Sequence, residues 1–110
     1  LLMLNIEYKD EELKLFIETG KSNDKRYKKL KSNAVFMRDL RMVINLMRPV
    51  DNVKELHMFK KLNYEPLHYD YEGYSSVRIG FTSKYRLIFE EFENGIRICL
   101  IEISEHYGDK

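Results

Sequence analysis

The last third of the chain reads as three strands in close succession, and the joints between them leave one way to arrange them. Residues 74–81 (YSSVRIGF), 85–92 (YRLIFEEF) and 96–103 (IRICLIEI) are rich in β-branched and aromatic residues. Only Thr82-Ser83-Lys84 separates the first pair, and only Glu93-Asn94-Gly95 the second. A parallel pair would need a crossover of about a dozen residues or more. Joints this short dictate an antiparallel meander, and Asn-Gly is suitable turn chemistry for the second reversal.

The first half has a different grammar. Residues 3–8 (MLNIEY) alternate apolar and polar, as a short strand does. Asp10 then stands where a helix cap belongs, with Glu11 and Glu12 in the first turn, Leu13, Phe16 and Ile17 as the apolar stripe, and Gly20 as the stop. A longer helical pattern opens at Asp24 and closes at Pro49. Its stripe is Tyr27, Leu30, Ala34, Met37, Leu40, Ile44 and Met47, and Ser32-Asn33 is a point where it can divide. Residues 51–62 read as a helical turn and then a loop carrying His57, Lys60 and Lys61, and residues 67–71 as a weak further strand. The order β-α-α followed by three or four strands predicts an α+β fold: an antiparallel meander sheet with two helices packed on one face.

Composition narrows the class. A length of 110 residues suits one domain over residues 1–110, and 44% hydrophobic residues with only two prolines exclude a disordered chain. The single cysteine, Cys99, rules out an intramolecular disulfide and reads as a small buried hydrophobe. No apolar run approaches the roughly 18 residues of a membrane helix, so a cytoplasmic location without membrane contact is expected. The sequence has no phosphate-cradling glycine loop, dinucleotide fingerprint, HExxH or cysteine-based zinc spacing, and no cofactor is expected. His68, Asp70 and Glu72 would share one face of a strand and could hold a divalent ion. Exposed polar residues on an edge strand explain them equally well, and no metal is expected.

The net charge of +1 hides an uneven distribution, with +6 over residues 21–41 and +3 over residues 78–89. Either the first block is the solvated face of a helix, or the two blocks meet in one positive face. In the second case Lys28, Lys31, Lys61 and Lys84 are candidate RNA contacts. Arg78 and Arg86 sit inside apolar strands, where an arginine must find a carboxylate or face a cleft. On adjacent strands they would make a cationic site suited to phosphate; the alternative is pairing with Glu90 or Glu102. His57 with Lys60 and Lys61, and Glu105-His106-Tyr107, add acid–base groups. Metal-free RNA cleavage asks for this set: a base for the 2′-OH, cations for the phosphorane and an acid for the leaving 5′ oxygen. Aromatic rings nearby can stack on a splayed base.

These segments also resemble a known family. Residues 55–62 (ELHMFKKL) are similar to the Lys/Leu-His-x-Leu-Lys segment of HigB-type toxins, and residues 73–79 (GYSSVRI) to their G-x-x-S-V-R strand. Residues 85–89 (YRLIF) are similar to their Y-R-I-x-F strand, and residues 105–109 (EHYGD) to a terminal His/Tyr motif. Residues 3–50 agree only in element order. The succession resembles the RelE/ParE superfamily of type II toxin–antitoxin systems. The resemblance implies a RelE-like fold and a ribosome-dependent, metal-independent mRNA endoribonuclease. It gives His57 and Lys60 catalytic roles, makes Arg78 and Arg86 the phosphate-binding arginines, and puts His106 and Tyr107 at the terminal acid–base and aromatic positions. The partners it implies are the ribosome with its mRNA and a helix-turn-helix, HigA-like antitoxin. The ParE branch implies instead a binder of DNA gyrase, and a third alternative is a non-toxic regulatory partner with the same fold. Two departures stand out. The family's bacterial type members end in Asp-Tyr-His where this chain reads Glu105-His106-Tyr107, and the link between Arg78 and Arg86 is about two residues longer than usual.

Overall fold

Helix signals in the first half of the chain act where the pattern places them. In the computed structural model, which describes residues 3–81 and 83–105, strand β1 (Asn5–Tyr8) leads directly into a cap. The Asp10 carboxylate accepts the Leu13 N–H at 2.8 Å and opens helix α1 (Glu11–Thr19), which buries Leu13 and Phe16. The helix stops at Gly20, whose φ of +80° lets its N–H reach the Phe16 carbonyl.

The longer helical pattern does divide. One turn, α2 (Lys25–Lys28), is separated from α3 (Ala34–Met47) by Asn33, whose side chain accepts the Phe36 N–H at 3.0 Å. An asparagine that turns its side chain back to cap the next helix leaves the previous one without continuation. Helix α3 then buries Phe36, Leu40, Val43, Ile44 and Met47.

Between α3 and the strands the chain advances in short 3₁₀ turns, Val53–Met58 and Lys60–Leu62, where the sequence pattern suggested a turn and a loop. A reciprocal cap between Asn52 and Glu55 opens the first of them. The strand expected at residues 67–71 does not form. Strand β2 is Glu65–Pro66, and Tyr69–Tyr71 is a 3₁₀ turn. Pro66 offers no N–H to a ladder, and Tyr69 at φ +58° leaves the extended region altogether.

Strands β3 (Ser75–Arg78), β4 (Arg86–Phe92) and β5 (Arg97–Ser104) follow as the meander requires. The sheet order is β1-β5-β4-β3-β2. Strands β2 to β5 are antiparallel, while β1 adds to β5 in parallel, a pairing that the meander reading did not include. The helices and one face of the sheet share a single apolar core, to which Val77, Leu87, Phe89, Ile98, Leu100 and Ile103 contribute from the strands.

A bulge in β5 decides which side chains face outward. Ile88 stands opposite Glu102, but the next pair is Phe89 with Leu100, so Ile101 has no counterpart on β4. Strict alternation after Ile98 and Leu100 would turn Glu102 into the core and Ile103 out of it. The extra residue reverses this: Ile103 is buried and Glu102 looks outward. Among the described residues no helix is long and apolar enough to cross a membrane.

The link after β3 rests on Gly80, at φ +78°, against the buried carboxylate of Asp39. A Cβ there would overlap that carboxylate and hold the backbone in a region L side chains avoid. Gly80→Ala should destabilise the fold by about 2 kcal/mol, read as a lower urea midpoint with an unchanged slope.

Candidate functional site

Arg78 and Arg86 are register partners on β3 and β4, so they share one face of the sheet. Because their neighbours Val77 and Leu87 point into the core, that face is the outer one. Ser76 and Ile88 share it and are fully buried, although Ile88 lies outside the main core. The outer face is therefore covered in part, and the two arginines meet different surroundings.

Arg86 is only 4% exposed. Its Nε donates to Ser76 Oγ at 2.6 Å, and its Nη2 donates to the Asn63 carbonyl and, at 3.4 Å, to that of Ser76. Glu65 adds an ion pair at 3.8 Å. The carboxylate that meets it comes from β2, in place of the Glu90 or Glu102 considered from sequence. Arg78 is half-buried, and its guanidinium lies 4.7 Å from the centre of the exposed Phe81 ring. Its Nε is buried and has no hydrogen-bond partner among the described residues.

Glu102, turned outward by the bulge, organises the rest of this face. It accepts Arg26 Nη1 at 3.0 Å and the Tyr71 hydroxyl at 2.8 Å. One carboxylate thus ties α2 and the segment before β3 to β5. Burial, and then the hydrogen bond to Glu102, push the Tyr71 hydroxyl above its usual range. The Tyr71 ring lies 6.4 Å from that of Tyr74, and Tyr69 beside them is 58% exposed. Sequence reading singled out neither Glu102 as a hub nor these tyrosines, because the bulge that brings them together has no local sequence mark.

His57 belongs elsewhere. Its exposed imidazole lies 4.1 Å from the Tyr64 ring. The Tyr64 hydroxyl is anchored by Ser75 Oγ at 3.2 Å and by Glu91, and Ser75 also donates to Glu91 at 2.8 Å. Ser75 and Glu91 alternate with Ser76 and Glu90, so this cluster lies on the core-side face of the sheet, opposite the arginines. The strands therefore bring Arg78 and Arg86 together and leave His57 behind them. Lys60 and Lys61 are exposed on the 3₁₀ turn Lys60–Leu62, and Lys28, Lys31 and Lys84 are exposed as well. His106 and Tyr107 lie outside the described residues. Among the described residues no three His, Cys, Asp or Glu side chains are grouped so as to hold a metal ion.

No family model matches the sequence, and no curated protein sequence does. Solved structures do resemble the fold. A YoeB/ParE toxin from Agrobacterium tumefaciens matches with a TM-score of 0.56 at 19% identity, over 94% of this chain and 99% of that one. A YoeB–YefM complex from Staphylococcus aureus gives a TM-score of 0.49 at 19% identity, over 94% of this chain and 98% of that one. The first of these shows that the α+β arrangement described here is shared with a toxin of the YoeB/ParE kind.

The two arginines should separate in a stability measurement. Arg86→Met should cost about 3 kcal/mol in urea unfolding, since buried acceptors lose a charged donor, whereas Arg78→Ala should cost less than about 1 kcal/mol. Alkaline pH tests the buried phenols. Tyr27 and Tyr64 are pushed up to about 12, chiefly by burial, from an ordinary value of 10.0. Both are neutral in the folded and unfolded chain below that ordinary value, so their contribution is intact there. It is lost as pH rises from 10 through 12, because the unfolded chain ionises first. Tyrosinate absorbance followed beside circular dichroism should show these two phenols ionising only as the fold is lost.

Proposed function

We propose that this protein is the toxin of a type II toxin–antitoxin pair, acting as a ribosome-dependent, metal-independent mRNA endoribonuclease. The observation that carries the proposal is Arg78: a half-buried cation on the outer sheet face, with a buried Nε that no described residue pairs. Arg86 is directly opposite it. A phosphate reaching the half-buried guanidinium would be held by its charge, and the fold shared with a YoeB/ParE toxin agrees with the reading.

On this proposal the RNA 2′-oxygen attacks its own phosphorus and the bond to the 5′ oxygen breaks. The products are a 2′,3′-cyclic phosphate, or the 3′-phosphate from it, and a 5′-OH. Arg78 stabilises the charge that builds on the phosphorane. Arg86, held by the protein's own carbonyls, fixes the strand pair that presents it. Ser104 is paired with Arg86 at the end of β5. On the same proposal His106 and Tyr107 carry the two proton transfers. The ribosome would supply the orientation that so small a site lacks. The other partner on this reading is a helix-turn-helix antitoxin of the HigA kind.

One observation favours a second reading, a ParE-like inhibitor that binds DNA gyrase. His57 is separated from the arginines by the sheet, and a binding surface needs no acid–base pair in one cleft. Inducible expression in bacteria with mapping of mRNA 5′ ends discriminates between them. The nuclease should arrest growth and leave new ends inside translated codons. Arg78→Ala should lower cleavage on the order of a hundredfold without unfolding the protein. Arrest with relaxed plasmid DNA and no new ends would favour the gyrase binder, and harmless expression would overturn both.

A further inference from the structure

The end of strand β3 puts one aromatic ring into water. Side chains alternate along a strand, so after Arg78 on the outer face and Ile79 in the core a continued β3 would turn Phe81 toward the core side. Gly80, at φ +78°, breaks that alternation. Phe81 is left 69% exposed, and the Arg78 guanidinium lies 4.7 Å from the centre of its ring. The link that carries Phe81 is longer than in the toxins this sequence resembles, so the resemblance gives the ring no role.

A single exposed apolar side chain is ordinary in a folded protein. What distinguishes Phe81 is the cation beside it. A guanidinium over a ring is held by attraction to the π electrons, so Arg78 is positioned there without a carboxylate that would neutralise it. Asp39, against Gly80, is 6% exposed and already paired with Arg38 at 3.3 Å. A nucleotide carries the complement of both groups in one residue: a phosphate, which a guanidinium binds, and a planar base, which an aromatic ring stacks. An apolar ligand would make no use of the cation, and a simple anion none of the ring.

We propose that Phe81 is a nucleobase platform, on which the base of the nucleotide whose phosphate meets Arg78 is stacked. Purines, with the larger π surface, stack more strongly than pyrimidines, so the platform biases which nucleotide is held there. The inference rests on the RNA reading of Arg78 and adds to it a residue that selects the substrate.

The sequence contains no tryptophan, so Phe81→Trp introduces a single indole at the platform. Three short RNA strands serve as probes, all 2′-O-methylated so that none can be cut: a purine strand, a pyrimidine strand, and an abasic strand with the same phosphates. The purine strand should quench the indole fluorescence most, the pyrimidine strand less, and the abasic strand not at all. With end-labelled strands followed by fluorescence anisotropy, Phe81→Leu should bind the purine strand roughly fivefold more weakly, or worse, and the abasic strand as the parent does. Phe81→Tyr should bind like the parent, and Arg78→Ala should weaken every strand. Leucine leaves an apolar side chain at this exposed position, so the melting temperature should stay unchanged and loss of stacking is separated from loss of apolar contact. Quenching by the abasic strand, equal binding of the purine strand by Phe81→Leu and the parent, or no binding of that strand at all would overturn the proposal. A pyrimidine strand that matches the purine strand would overturn the bias. A chain that stacks bases but leaves no new mRNA ends keeps the platform and loses the nuclease. One that cuts mRNA, with Phe81→Leu binding as the parent does, loses only the platform.

Discussion

A guanidinium taken out of water must be met by acceptors, and the way Arg86 is met governs the edge of this sheet. Its donors reach Ser76 on the neighbouring strand and the carbonyl of Asn63 just before β2. One side chain therefore fixes β4 to β3 and draws in the segment that carries Lys60, Lys61 and Tyr64. That segment cannot form a long strand, since Pro66 ends its ladder. The hydrogen bonds of Arg86 do what a longer β2 would otherwise do. The same geometry leaves Arg78 as the cation of the pair that a ligand can reach.

The β5 bulge is the second constraint, and it works through parity. A strand alternates its side chains with a period of two, so a single extra residue exchanges the faces beyond it. Here it lets Ile98, Leu100 and Ile103 all enter the core, and it sends Glu102 outward to meet Arg26 and Tyr71. Without it, β5 would either bury a carboxylate or lose an isoleucine from the core. The bulge thus links the stability of the core to the make-up of the outer face.

The sheet divides the polar chemistry of the molecule into two territories. The outer face holds the arginines, Glu102 and the tyrosines of the segment before β3. The core-side edge holds His57 over Tyr64, with Ser75 and Glu91 beneath it. Between them runs the link after β3, where Gly80 passes over Asp39 and Phe81 is left in water beside Arg78. Phe81 therefore belongs to the surroundings of the cationic site.

The sequence by itself determined what depends on neighbours along the chain. Asp10 and Gly20 bounded α1, Asn33 divided the long helical pattern, and the short joints at residues 82–84 and 93–95 allowed only antiparallel strands. Because strand period and joint length settle facing, the presence of Arg78 and Arg86 on one sheet face was also legible. The tertiary structure alone decided what depends on distance. The parallel pairing of β1 with β5 joins residues about ninety apart, and no local pattern encodes it. The bulge was hidden because IRICLIEI reads as an ordinary alternating strand until its partner is present. The fates of Arg86 and His57 were hidden for the same reason: whether a polar side chain is buried against carbonyls or left at an edge is set by groups that only the fold brings near it.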